Sequence, residues 1–241
     1  MSGKLIGVGT GPGDPDLLTL KAAKAIAGAD VVAYFAKRGN PSNARGIAAG
    51  HFRDGQIEEA LDYPVTTEIH RHDHGYKSQI QDFYAEAAER IATHIEAGRT
   101  VAVLSEGDPL FYGSYMHLHV RLAPRYDTEV IPGITAMSGC WSAAGLPLVQ
   151  GDDVLTVLPG TLDQLELQRR LSDTEGAVIM KLGRNLPKVR AALAAVGRLD
   201  GAVYVERGTM ENAASQPMVG KVDDNAPYFS LVLVPGWSAR P

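Results

Sequence analysis

The run Val8-Gly9-Thr10-Gly11-Pro12-Gly13-Asp14-Pro15 constrains the fold of this chain more than any other. An apolar stretch at residues 4–8 enters it, and Asp14-Pro15 leaves it as a helix N-cap followed by proline at the first helical position. A strand that turns into a helix through so many glycines opens a βα unit, and glycine there lets backbone approach a ligand closely. Leu17, Leu18, Leu20, Ala23 and Ile26 predict a helix ending near Gly28, and residues 31–36 predict a second, parallel strand. Ligands of such units sit at the carboxyl ends of the strands, where the bend lies.

A nucleotide loop is the first ligand site to test. The dinucleotide fingerprint needs a third glycine where Pro12 or Asp14 stands, and an acid after the second strand where Lys37 and Arg38 stand. An NADP-binding reductase is therefore a poor fit. A Walker loop needs Lys-Ser or Lys-Thr after its last glycine, and the bend has neither.

Further along, residues 76–97 carry a helical apolar stripe and residues 100–104 an apolar run of strand length. That strand delivers Ser105-Glu106-Gly107-Asp108-Pro109, a second ligand loop whose two acids accept hydrogen bonds from amine, hydroxyl or pyrrole N–H groups. A helix at 112–123, a strand at 128–131 and a third bend at Pro132-Gly133-Ile134-Thr135-Ala136 follow. The next helix stops at Gly145-Leu146-Pro147, which places a boundary there and divides the chain into 1–145 and 146–241. The second part alternates strands (154–158, 177–182, 202–205, 228–234) with helices near 162–171 and 186–196, and its last connection lacks a helix. These patterns predict two α/β domains with a ligand cleft between them, the first sheet largely parallel and the second mixed.

A formal charge of −5 argues against general nucleic-acid or anionic-membrane binding. No apolar run is long enough to span a bilayer and no signal-peptide pattern opens the chain, so a cytoplasmic location is expected. The single Cys140 excludes an internal disulfide and reads as a small helical filler. His70, His72 and His74 alternate along one stretch, but without a completing ligand set they are expected to be a solvated loop, with contact to an acidic substrate as the alternative, and no metal site is expected. Arg45, on a donor-rich loop, is either a solvated charge or a carboxylate clamp.

The segment GVGTGPGDPDLLTLKA at 7–22 resembles the opening signature of the tetrapyrrole methylases that use S-adenosylmethionine. SEGDPLFYGS at 105–114, VIPGITAMSG at 130–139 and YVERGTMENA at 204–213 resemble that family's remaining motifs, in the family's order. SNARGIA at 42–48, DYPVTTE at 62–68 and the stretch from Tyr76 through SEGDPLFYGSYMHLHVRL narrow the resemblance to the branch that methylates a meso carbon of a reduced tetrapyrrole.

The resemblance implies that Pro12, Glu106, Gly107, Asp108, Thr135, Ala136, Leu182, Gly208 and Ser230 line the cofactor site, largely through backbone. The family often has methionine where Leu182 stands. It also implies a polycarboxylated tetrapyrrole substrate, with Arg45 and Tyr112 as candidate contacts, and a homodimer. An electron-rich meso carbon needs no covalent nucleophile on the protein; Asp14 and Asp108 are the candidates for removing a proton after transfer. A sibling methylase acting on another ring position, or on a non-tetrapyrrole such as a diphthamide precursor, is the alternative within the class.

Overall fold

The computed structural model describes residues 3–64 and 74–236, with the side chains of 74–77 outside that description. The chain forms two compact units, 1–135 and 136–241.

In the first unit, β1 (Lys4–Gly9), β2 (Val31–Lys37), β3 (Ile57–Tyr63), β4 (Thr100–Ser105) and β5 (Thr128–Ile131) form a parallel sheet in the order β3-β2-β4-β1-β5. The crossovers carry α1 (Leu20–Gly28), α2 (Asn43–Ala48), α3 (His74–Glu96) and α4 (Tyr115–Leu122). One face of the sheet packs Leu5, Val31, Val101 and Val103 under Ile91, Ile95 and Leu118 of α3 and α4; the other packs Val8, Val32 and Leu104 against Ile26 and Ala48. Both faces are covered, which is why β1, β2 and β4 read as continuous apolar runs. All five carboxyl ends lie on one edge, since every pairing is parallel.

In the second unit, α5 (Ala136–Ala143) precedes β6 (Leu155–Pro159), α6 (Gln164–Ser172), β7 (Gly176–Met180), α7 (Leu186–Ala195), β8 (Val203–Glu206), β9 (Ala214–Pro217) and β10 (Ser230–Val234). The sheet order is β6-β7-β10-β8-β9; β6 and β7 pair in parallel, whereas β10 runs antiparallel to β7 and β8, and β9 to β8. The carboxyl ends of β6, β7 and β8 and the start of β10 therefore share one edge. Leu167, Leu171, Val189 and Leu193 cover one face, and Cys140 of α5 packs on Val178, Val205, Leu231 and Leu233 on the other.

Three local expectations shift. Asp14 does cap a helix, its Oδ1 accepting from the Asp16 N–H at 2.9 Å, but that helix is a single 3₁₀ turn at Pro15–Leu17; α1 begins at Leu20, where Thr19 accepts from Ala22 N. Tyr112 cannot open α4, because its φ of 56° is left-handed. The helix that ends near Gly145 belongs to the second unit, because its apolar face lies on β7, β8 and β10.

Candidate functional site

The three glycine-rich bends of the first unit interlock at the carboxyl edge of its sheet. Thr10 N–H donates to Ser105 O at 2.9 Å, Gly107 N–H to Gly11 O at 2.8 Å, and the Gly133 N–H to Asp108 Oδ2 at 3.1 Å. A side chain at Gly9 would meet Gly133 N at 2.5 Å and Gly107 O at 2.7 Å, so only glycine allows this approach. Gly11, Gly107, Asp108 and Gly133 are thus tied together, with Pro12 next to Gly11 and Thr135 two residues beyond Gly133. Among the described residues, histidines, cysteines and acids form no cluster of metal-ligand character.

Glu106 reaches the first turn of α2. Desolvation pushes its carboxyl above the usual range, against hydrogen bonds from its own backbone, Ala44 and the Asn43 side chain. By accessible area the residue is exposed. Asn43 entered the sequence reading only within the SNARGIA motif at 42–48, and its hydrogen bond to Glu106 was not foreseen.

Asp108 accepts from Leu110 N at 2.9 Å through Oδ1 and from Gly133 N through Oδ2. Its carboxylate ties two loops together. Asp14 is likewise the cap of the 3₁₀ turn. The loop carrying Tyr112 is anchored by Ser114, whose Oγ is shared by the hydroxyls of Tyr63 at the end of β3 and Tyr84 on α3. Tyr112 itself is half exposed and edge-on to Phe111, with ring centroids 4.9 Å apart.

Arg45 differs from the clamp envisaged. Its Nε and NH2 donate to the two oxygens of Glu58 at 3.0 and 2.9 Å, and Tyr34 donates to the same carboxylate at 2.9 Å. Arg45 holds the Glu58 carboxyl below its ordinary range, and the pair fastens α2 to edge strand β3. His70 and His72, and the side chain of His74, lie outside the described residues.

The second unit offers a second edge. Ser230 is opposite Glu206 in the β8–β10 ladder, Gly208 follows two residues on, and Leu182 follows β7. Leu182 is buried in the core and the Ser230 hydroxyl donates to Pro227 O at 2.6 Å, so both present mainly backbone to a ligand. Ala136 opens α5. Gly208 lies against that helix: a Cβ there would meet Cys140 Sγ at 2.6 Å and Cα at 2.9 Å. Burial pushes the Cys140 thiol up to about 11, against a weaker hydrogen bond from Gly208, so it is a packing group and not a nucleophile.

Each of the two α/β units thus gathers glycine-bearing loops at one edge of its sheet. The description of the tetrapyrrole (corrin/porphyrin) methylases matches residues 4–222. The chain belongs to this family, and is a methyltransferase. It is 70% identical to a precorrin-2 C(20)-methyltransferase of a Sinorhizobium species, over 99% of this chain and 98% of that one. It is 53% identical to the cobalamin biosynthesis protein CobIJ of Mycobacterium tuberculosis over 99% of its length, while spanning about half (47%) of that protein. The crystal structure of the cobalt precorrin-4 methyltransferase CbiF shares the fold, with a TM-score of 0.73 at 24% identity, covering 99% of this chain and 96% of that one.

Proposed function

We propose that this protein transfers a methyl group from S-adenosylmethionine to the C-20 meso carbon of precorrin-2, giving precorrin-3A, S-adenosylhomocysteine and a proton, as a step of cobalamin synthesis. The 70% identity over essentially the full length of a precorrin-2 C(20)-methyltransferase carries this reading. The donor contacts are backbone groups of Pro12, Gly107, Thr135, Ala136, Leu182, Gly208 and Ser230, with the side chains of Glu106 and Asp108.

The residues suit that donor. Its amine and hydroxyls need acceptors, and the first edge presents the carbonyls of the glycine bends and the Glu106 carboxyl. When bound it would supply an activated methyl, which an electron-rich carbon takes in line as the neutral thioether leaves. The interlocked bends fix where donor and acceptor lie, which is where most of the rate enhancement of such a displacement originates. Asp108 holds two of the bends in register, and a hydroxyl-lined anchor at Ser114 sets the loop that presents Tyr112. The acceptor carbon provides the electron pair, in keeping with a thiol that is buried and protonated at neutral pH.

The protein is further proposed to work in the cytoplasm as a homodimer; among the described residues no helix is long and apolar enough to cross a membrane. Calorimetric titration with S-adenosylhomocysteine, followed by incubation with S-adenosylmethionine and precorrin-2, tests the function. A product heavier by about 14 Da, the mass of one CH₂, with the new methyl assigned to C-20 by NMR, is expected. Methylation at another ring position would move the protein to a sibling activity, and NADPH binding without S-adenosylhomocysteine binding would remove it from the class.

A further inference from the structure

Among the described residues, three outside glycine hold a left-handed backbone: Tyr112 at φ 56°, Lys181 at 58° and Arg207 at 51°. Two of the three are cations, and each is the first residue after a strand of the second sheet, Lys181 after β7 and Arg207 after β8. Left-handed backbone is where glycine is ordinarily found, and long side chains persist there only when something else selects them. Lys181 is exposed, and Arg207 is half-buried with NH1 donating to Glu206 Oε1 at 2.9 Å. Two strained cations at equivalent strand ends point to a shared role.

The ladder sets their spacing. Ser230 faces Glu206, the residue before Arg207, and the β7–β10 register carried one residue past Leu231 brings Ser230 opposite Lys181. Arg207 continues the ladder by donating its N–H to Phe229 O at 2.8 Å. The two cations therefore flank β10 at about two strand spacings, roughly 10 Å apart. Arg184 lies three residues beyond Lys181 on the same edge and is exposed. Glu206, the acid within this group, is already bound by Tyr204 Oη at 2.8 Å and by Arg207 NH1 at 2.9 Å, leaving the other guanidinium N–H groups of Arg207 for a ligand; Glu211 stands further along the loop. Tyr228, 84% exposed, precedes Phe229 and adds an aromatic face.

We propose that Lys181, Arg184 and Arg207 form a cationic rim that binds peripheral carboxylates of the acceptor macrocycle and sets its orientation. This deepens the function proposed above and rests on it. A cluster of cations attracts a polycarboxylate. A planar macrocycle bearing carboxylates around its periphery fits cations about 10 Å apart beside an exposed aromatic ring.

Arg207→Gly and Lys181→Gly distinguish a ligand role from a structural one, because each removes a charge and also relieves a left-handed conformation. Expected for Arg207→Gly are a KM for precorrin-2 raised roughly fivefold or more, an unchanged Kd for S-adenosylhomocysteine and a melting temperature that does not fall. The double variant should raise KM further. Arg184→Gln should raise KM without altering the melting temperature. An octacarboxylate porphyrin, titrated by fluorescence quenching, should bind more weakly to each variant and with a shallower salt dependence.

Unchanged KM and porphyrin affinity in the double variant would overturn the rim, as would an equal loss of S-adenosylhomocysteine affinity. A wild-type protein that binds no S-adenosylhomocysteine defeats the methyltransferase reading instead; the porphyrin titration still tests the rim by itself.

Discussion

Gly208 and Cys140 show how much of this protein's chemistry rests on single close approaches. Replacing Gly208 by alanine drives a methyl into the Cys140 backbone as well as its sulfur, and backbone cannot rotate away. Gly208→Ala is expected to cost about 2 kcal/mol, within the range for overpacking, and to weaken S-adenosylhomocysteine binding in calorimetry. Cys140→Ala, by contrast, removes one buried sulfur of no chemical use. It should cost about 1 kcal/mol in denaturant unfolding and leave kcat within twofold; a kcat lowered a hundredfold would reinstate the thiol as a catalytic group. The inertness of Cys140 was legible from its small apolar neighbours, but its apposition to Gly208 was not, because the two residues are far apart in sequence.

Among elements, the loop between β4 and α4 separates positioning from proton transfer. Asp108→Asn keeps one oxygen but turns an amide N–H₂ toward a backbone donor, leaving one loop tie unmade at about 1–3 kcal/mol. The expected outcome is roughly tenfold weaker S-adenosylhomocysteine binding, with kcat on saturated enzyme little changed and the pH–rate profile keeping its shape. A loss of one limb of that profile together with a hundredfold lower kcat would make Asp108 the base.

Edge strands supply a second element-scale test. On β5, Glu129 meets Lys21 of α1 at 2.5 Å and Lys4 of β1 at 2.7 Å, and hydrogen bonds from Lys21 first and Lys4 second hold its carboxyl down at about 2. A carboxyl depressed in the folded state stabilises the protein above its ordinary pKa of 4.5, and that contribution disappears as pH falls from there toward 2. The lysines are partly exposed, so screening limits the contribution to about 1 kcal/mol or less. Glu129→Gln should flatten the melting-temperature profile between pH 4.5 and 2 and leave the profile above pH 6 parallel to wild type.

Edges are also where the sequence was hardest to read. β1, β2 and β4, buried on both faces, were legible as apolar runs. β3, with Leu61 as its one buried side chain, and β9, exposed throughout, gave no such run and escaped notice. The glycine-bearing bends after β1, β4 and β5 were legible because glycine and proline spacing is local. The pairing of Arg45 with Glu58 was not, because it depends on β3 existing at all.

At the scale of the whole molecule, the division of the chain decides which fragments can fold. All strands of the first sheet end by Ile131, and the two clusters that form its cores draw only on residues up to that point. Cys140, Met137, Trp141 and Ala144 belong instead with Val178, Val205, Leu231 and Leu233. We therefore propose the boundary at 135/136 in place of 145/146. A fragment of residues 136–241 keeps α5 over its sheet, whereas 146–241 uncovers that face. At roughly 1.5–3 kcal/mol per large apolar side chain uncovered, the loss is on the order of 5 kcal/mol, comparable to the whole stability of a small domain. The longer fragment is expected to unfold cooperatively in urea with dispersed amide resonances; the shorter one should bind a hydrophobic dye, show collapsed dispersion and aggregate. Equal stability of the two fragments would show that α5 is not part of the second core, and would return the boundary to the glycine-proline turn at 145–147.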